Sequence, residues 1–533
     1  MINRMIAVNG GVAGSRMRTT SRQPGLGGNR PDDDRIERIV IAGGGPAGWL
    51  AAATLARLLR PSFCRIEVID ATHGEPEAFS EATLPSFHRL NALLGIDEFD
   101  LLRRTQGTYS LGTEFTAWGK RGSRYFHAFG PLGARLDGVA FHHCWLRLRR
   151  GGERTPIDDY SVAAVMASQG KFAHPTADSR SVASRFSYGY QLDATSLAAY
   201  LKQYALAHGV SCAEHEIVEV RLRPEDGFIE SLLLADGAQV CADLFVDCTG
   251  ARRLLSGQAL RIAQQDWSRW LPCDRAVAGS WSSGGDPRPY AQSIAHDSGW
   301  RWRSPLRQRV DETYVYASAF SSDDEAAAIL LADRAKRADL TAAQPRLLKL
   351  TAGRPARFWD KNCLSLGAAG FGPLESTGLH LVQTGITRLV TSFPVCRYSP
   401  CDIEEYNRLT VIEHERIRDF LILHYKLGAR GNSAFWVHCA QMDIPESLRT
   451  KIELFRESAR IASLDDEHFG DDSWLSVFIG HGIEPRTYDP LADALEFADV
   501  ETALPHMRTM IREAVGLMQT HAEFLARPSG APP

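Results

Sequence analysis

The chain has 533 residues, 44% of them hydrophobic and 23% charged. Those proportions supply a large core and exclude collagen, coiled coil and wholesale disorder. Sixty Lys and Arg against 64 Asp and Glu give a formal charge of −4, so there is no nucleic-acid footprint. Ten cysteines are scattered without a CxxC pair. This argues against zinc ribbons and a disulfide framework and points to a reducing compartment, with the cytoplasm as the expected location.

Residues 1–35 hold arginines, glycines and the run Asp32-Asp33-Asp34 but no sustained apolar stretch, and are expected to be a disordered tail rather than a signal peptide. Arg38–Ala42 is rich in β-branched residues and leads into Gly43-Gly44-Gly45-Pro46-Ala47-Gly48. Trp49–Ala56 then reads as a helix, Arg65–Ile69 as a second strand, and Asp70 ends it. Strand, glycine turn, helix, strand and acid make one βαβ unit. The apolar stretch Ile39–Leu59 has the length of a membrane span but contains four glycines, a proline and Arg57, and no membrane association is expected.

Further along, residues 86–104 read as helical, 105–190 as mixed and aromatic-rich, and Asp193–His208 as an amphipathic helix. Strands follow up to Leu244–Asp247, then a β-rich middle over about 270–320 and helical periodicity beyond 402. The expected fold is α/β: a flavin-monooxygenase-like, FAD-binding unit built on a GxGxxG Rossmann-type motif, with an interleaved substrate region and a helical C-terminal part. In residue terms, an FAD-binding domain spans 36–400, interleaved with a β-rich substrate region at about 105–190 and 270–320. A mainly helical, substrate-covering region spans 401–525, and 526–533 is a frayed tail.

Each glycine of the turn has a mechanical purpose. Gly43 permits the tight turn, Gly45 lets backbone approach a pyrophosphate, and Gly48 lets helix and strand pack closely, with Ala47 between them. The helix N-terminus offers free N–H groups and partial positive charge to phosphates. Asp70, 27 residues after Gly43, is placed to accept hydrogen bonds from ribose hydroxyls. Val246-Asp247-Cys248-Thr249-Gly250-Ala251 resembles the second FAD contact of flavin monooxygenases, with Asp247 and Gly250 as the matching residues. Leu364–Gly370, carrying Gly367 and Gly370, is a third strand running into a small-residue turn. Three such segments favour FAD over a nicotinamide cofactor.

Gly299-Trp300-Arg301-Trp302-Arg303-Ser304-Pro305 and Pro373-Leu374-Glu375-Ser376-Thr377-Gly378 together resemble the flavin-dependent tryptophan halogenase family, which carries Trp-x-Trp-x-Ile-Pro and Glu-Ser-Thr-Gly. Ser80–Thr83, Tyr125–Gly130 and Ile417–Tyr425 match in kind, so the resemblance covers about residues 36–525. It implies FAD, used as FADH2, reacting with O2 to form a C4a-hydroperoxide that oxidises chloride or bromide. The hypohalous acid formed then reaches an electron-rich aromatic such as an indole or tryptophan, free or borne on a peptide. It implies that Thr377 and Gly378 hold the halide, and that Trp300, Trp302 and Pro305 line the tunnel. It also implies that Glu375, with Ser376 beside it, stabilises the cationic ring and helps remove its proton. A separate flavin reductase is the expected partner, because the single GxGxxG is used by FAD, and a homodimer is allowed.

One position departs from the family. Counting back from Phe115 and Trp118, its essential lysine falls on Ser110, and no lysine lies between Arg104 and Lys120. A hydroxyl donates one neutral hydrogen bond, which loses on the order of 1–2 kcal/mol against an ammonium. It cannot form a haloamine either. Two other outcomes therefore stay open beside halogenation: a lysine-less, FAD-dependent monooxygenase that hydroxylates its substrate, and a catalytically lapsed flavoprotein. Plainer accounts of single residues also stand. Trp300 and Trp302 would pack a core from one strand face, Glu375 would cap a helix starting near Ser376, and Cys396 and Cys401 would be plain thiols. His142 and His143 would project to opposite faces of a strand, a poor metal pair, and no metal is expected.

Overall fold

The strand Arg38–Ala42 lies inside a six-stranded sheet. Its order across is Trp359–Asp360, Cys363–Ser365, Leu244–Asp247, Arg38–Ala42, Arg65–Ile69 and Ser211–Ala213. Only the pair at the Trp359 edge is antiparallel; the other neighbours run parallel. Inner strands of a parallel sheet are covered on both faces, so Ile39 to Ala42 form an unbroken apolar run with every side chain buried. This computed structural model describes residues 35–60, 62–71, 80–282, 285, 287–335, 345–367, 370–394, 398–428, 430–431, 433–462 and 467–527. Of the expected tails, residues 1–34 and 528–533 lie outside the described residues, as does Cys396.

The helix Pro46–Leu59 opens with proline, whose missing N–H costs nothing at a first turn. It is buried nearly all round because it packs on its own sheet and on the helices Ala194–Ala207 and Gly378–Thr391. The stretch Ile39–Leu59 is thus strand, turn and helix, and among the described residues no helix is long and apolar enough to cross a membrane.

A second sheet of seven strands runs Arg346–Lys349, Arg275–Ser282, Arg309–Tyr316, Gly299–Pro305, Ala291–His296, Gly112–Thr116 and Arg124–Ala128. Segments far apart in sequence meet there, where Ala291–His296 pairs parallel with Gly112–Thr116. A small three-stranded sheet, Ser80–Ala82, Gly189–Asp193 and Thr108–Ser110, sets Ser110 opposite Gly189. Beyond residue 399 the structure is helical. Pro400–Lys426 is the longest helix described, with Ser399 capping it through the N–H of Asp402.

Two local expectations are corrected. Residues 86–104 form two helices, Phe87–Leu94 and Glu98–Arg104, because Gly95 takes a left-handed φ of 69° and Asp97 starts the second by accepting from the N–H of Asp100. His142 and His143 sit on a helix, Phe141–Arg150, not a strand. Phe141, Trp145 and Leu148 recur at spacings of three and four there, and all are buried. His142 meets the carbonyl of Ala459 and His143 accepts from the N–H of Asp489, so both are structural.

Candidate active site

At the carboxyl ends of the parallel strands, three glycine-bearing turns come together. A Cβ at Gly43 would lie 2.4 Å from the carbonyl oxygen of Cys248, and one at Gly48 would lie 1.8 Å from that of Gly43. Gly43 is therefore demanded by packing against the residue that follows the strand Leu244–Asp247, and Gly48 by packing within the turn itself. At Gly45 the space is open, so a ligand can approach the backbone there. Gly367 has φ +72° and lies in van der Waals reach of Ala47, which places the third segment against the first turn. No acidic side chain occupies the first turn of Pro46–Leu59, and none caps it. This is a ready site for a pyrophosphate, in the crevice where open α/β sheets bind dinucleotides.

Asp70 is buried at the end of its strand, against Gly44, where a Cβ would lie 1.8 Å from Oδ1 of the carboxylate. Lys202 donates to Asp70 Oδ2 over 3.0 Å and to Glu214 over 2.6 Å. Partial burial acts to lower the Lys202 ammonium, but these two carboxylates raise it to about 12. Asp247 is engaged otherwise. Thr249 donates to its Oδ1 from N–H and hydroxyl, at 3.1 and 2.6 Å, and Ser256 donates likewise to Oδ2, at 2.8 and 2.7 Å. Its carboxylate holds the shape of the turn that carries Gly250, and has no strong acceptor left for a ligand.

From Gly370, bonded backbone to backbone with Gly353, the chain runs to the helix Gly378–Thr391. Glu375 and Ser376 both adopt left-handed backbone, φ 62° and 57°. Each costs on the order of 1 kcal/mol for a non-glycine residue, and such strain gathers at functional sites. The bend turns Glu375 inward, 2% exposed, and no side chain caps the helix Gly378–Thr391, so the plainer reading of Glu375 as a helix cap is set aside. Nδ1 of His127 lies 2.8 Å from Oε2, and Nε2 of His424 lies 3.1 Å from Oε1, without an aligned hydrogen bond. Burial alone would raise this carboxyl, but His127 above all outweighs it and holds it at about 2. Ser376 is half-buried. Thr377 is buried, and its hydroxyl has no hydrogen-bond partner among the described residues. Gly378 beside it faces open space at a helix N-terminus, a setting suited to an anion.

Trp300 and Trp302 are both buried on one strand, edge to face at 6.4 Å. Trp300 donates to the hydroxyl of Tyr425 (2.8 Å) and Trp302 to that of Ser304 (2.9 Å). The carbonyl of Pro305 accepts from Thr108 over 2.6 Å, which ties this strand to the one bearing Ser110. Ser110 is buried. Its hydroxyl donates to the carbonyl of Gly112 (3.3 Å) and accepts from Nε2 of Gln191 (3.4 Å). Lys120, the nearest lysine in sequence, is exposed in a turn and replaces nothing here.

His127, His424, Tyr125 and Gln191 carry much of this geometry, and sequence reasoning assigned none of them a role. Three lie inside strings that were singled out, Tyr125–Gly130 and Ile417–Tyr425. What a string cannot show is which of its side chains meets a carboxylate 248 residues away.

A family model described as tryptophan halogenase matches residues 38–496. Tryptophan 6-halogenase ThaL of Streptomyces albogriseolus is 30% identical over 536 residues, 91% of this chain and 99% of that one. Among solved structures, BrvH, a flavin-dependent halogenase from Brevundimonas sp. BAL3, superposes with a TM-score of 0.87 at 40% identity, covering 92% of this chain and 99% of its own. Xcc4156, a flavin-dependent halogenase from Xanthomonas campestris, gives 0.88 at 39% identity, covering 93% and 100%.

Proposed function

The chain belongs to the tryptophan halogenase family, and on that premise we propose that it halogenates an electron-rich aromatic ring, an indole or a tryptophan, at a carbon held beside Glu375. It is a flavin-dependent oxidoreductase that uses FADH2, O2 and halide. Reduced flavin and O2 supply, when bound, the oxidising equivalent that makes halide electrophilic. The chain's own residues divide the rest of the work. The turns at Gly43–Gly48, Gly250 and Gly367 would hold the dinucleotide, with Asp70 on the ribose and Asp247 shaping the second turn. Thr377 and Gly378 would seat the halide at the helix N-terminus. Trp300, Trp302 and Pro305 wall the passage between flavin and substrate, and Ser110 with Gln191 offers a neutral hydrogen-bonding pair along it.

The observation that carries this reading is Glu375, an ionised carboxylate in a water-excluded site, braced by two histidines. Electrophilic attack on an aromatic ring builds positive charge and then releases a proton, and a fixed carboxylate serves both needs. Reducing equivalents come, in this reading, from a separate flavin reductase. Ser110 favours a second outcome, oxygen transfer to the substrate, because a neutral hydroxyl holds an electrophilic halogen less firmly than an ammonium would. Supplying reduced FAD, O2 and bromide to the protein with a panel of indoles and weighing the products decides. A mass gain of bromine for hydrogen is the expected result. A gain of one oxygen, indifferent to bromide, would replace halogenation by hydroxylation.

A further inference from the structure

Glu375 stands at one end of a chain of polar side chains that the reaction as described leaves idle. Beyond Nε2 of His424, 3.1 Å from Oε1, Nδ1 of the same ring lies 3.1 Å from the hydroxyl of Tyr125. That hydroxyl lies 3.3 Å from Nε2 of His481. All four residues are buried, and they come from four segments: the strained bend, the strand Arg124–Ala128, the helix Pro400–Lys426 and the end of Asp471–Gly480.

The surroundings fit a conduit. Phe115 stacks on both Tyr125 (4.9 Å) and His424 (4.7 Å), an apolar wall that excludes water. A Cβ at Gly480 would lie 2.2 Å from the Tyr125 ring, so glycine there is what lets His481 reach the hydroxyl. His481 ends its helix and is followed by the exposed turn residue Gly482. Stability alone does not account for the chain. Glu375 Oε1, His424 Nε2 and His481 Nδ1 have no aligned hydrogen-bond partner among the described residues, and buried groups left so are costly. The two carboxylate oxygens also differ. Oε2 is occupied by His127, whereas Oε1 is free to take a proton and faces the chain.

We propose that His424, Tyr125 and His481 are a proton outlet for Glu375. The inference rests on the reading of Glu375 as the base. The C–H bond of the attacked ring carbon breaks, its electron pair restores aromaticity, and the proton goes to Oε1. That proton passes to Nε2 of His424 while Nδ1 gives its own to the Tyr125 oxygen, and the Tyr125 hydroxyl proton moves to Nε2 of His481. One proton has then moved from Glu375 to His481, no electron has moved, and Glu375 is again a carboxylate. The scheme requires a neutral His424 protonated on Nδ1. Burial holds His424 below the usual imidazole range and His481 at about 3, so both rest neutral and release a proton readily.

Tyr125→Phe keeps the ring and its stack but removes the link. His481→Gln keeps a hydrogen-bonding group beside the hydroxyl but cannot take the proton on. In both variants kcat for bromination falls about tenfold, while KM and FAD affinity stay within about twofold. Deuterium at the reacting carbon, silent in the wild type, slows both variants, because proton removal now limits the rate. Wild-type kcat in either variant, or a fall without the isotope effect, overturns the outlet. Nitrogen-15 NMR of labelled histidines, with His424 assigned by substitution, tests it without turnover. A proton on Nδ1 is expected; one on Nε2 blocks the first hop and overturns the proposal. If the wild type gives no brominated product, the functional reading fails, and the tautomer still decides the relay.

Discussion

The hydroxyl of Ser110 lies 3.4 Å from Nε2 of Gln191, and both side chains are buried. Gln191 reaches it from the neighbouring strand, where Gly189 stands opposite Ser110 and Gln191 opposite Thr108. At the position where the resemblance implies a lysine, this chain holds an amide against a hydroxyl, and the other end of that amide, Oε1, has no hydrogen-bond partner among the described residues. A neutral pair offers a neutral oxidant or a water one ordinary hydrogen bond, with neither a charge-assisted donor nor an amine nitrogen that could carry the halogen.

Ser110→Lys therefore shifts the chemistry. An ammonium at this position adds charge-assisted hydrogen bonds and a nitrogen that can carry halogen. Bromination rises about tenfold or more relative to any oxygenated product, at a cost of about 1–3 kcal/mol in stability for the longer side chain. Product masses from wild type and variant, side by side, check this; an unchanged ratio would show that the position is not where selectivity is set.

Removing the charge at Glu375 costs more. Glu375→Gln keeps the size and an acceptor for His127 but cannot stabilise a cationic ring or accept its proton. The expected loss in kcat is about 10²–10³-fold, with FAD affinity unchanged. Single-turnover halogenation and a flavin-fluorescence titration separate the two. Equal losses in both would make Glu375 a structural residue of the bend.

The sequence made the αβ framework legible because backbone chemistry writes it locally. Arg65–Ile69 alternates charged and apolar residues, Leu244–Val246 is an apolar run ended by Asp247, and both segments form strands over the expected limits. The helix expected at Asp193–His208 forms over Ala194–Ala207, with Asp193 capping it. His142-His143 misled because adjacent residues carry no period, while the helical evidence lies in Phe141, Trp145 and Leu148. In the site, Glu375 was legible as a residue but its environment was not. His127 and His424 reach it by tertiary packing, and the left-handed φ of Glu375 and Ser376 has no sequence signal, since neither is glycine. Asp247 shows the converse: the motif points to it as a flavin contact, whereas the structure gives its carboxylate to Thr249 and Ser256.

If Asp70 holds the flavin ribose as proposed, Lys202, which donates to it, is expected to set the strength of flavin binding. Its ammonium holds Oδ2 at 3.0 Å while Gly44 presses on the other side of the carboxylate. Lys202→Met frees Asp70 to turn away from the ribose it is read as binding. Losing one charge-assisted hydrogen bond weakens FAD by about tenfold. Gly44→Ala, whose Cβ would displace Asp70, has a similar effect. Fluorescence titration of the apoprotein with FAD measures both, and wild-type affinity in both would remove Asp70 from the binding site.

Acid destabilises the fold in two windows of the same sign. Nδ1 of His521 donates to the carbonyl of Pro287 over 2.7 Å, and Nε2 accepts from the N–H of Tyr109 over 3.3 Å. A second proton would abolish that acceptor. Burial lowers His521 to about 4, and His414 likewise. Unfolded, both titrate near 6.5, so between about 6.5 and 4 the unfolded chain binds more protons and stability is lost as pH falls. Glu375 and Glu413 are held at about 2 despite burial, the latter by His380 and then Arg388. Their contribution is complete above the unfolded value of about 4.5 and is lost as pH falls from there toward 2. Urea midpoints should be flat above about pH 6.5, decline below it, and steepen below about 4.5. His521→Gln, which still donates and accepts, should remove on the order of 3 kcal/mol of the upper window. An unchanged slope between pH 6.5 and 4 in that variant would mean that His521 is protonated in the native state.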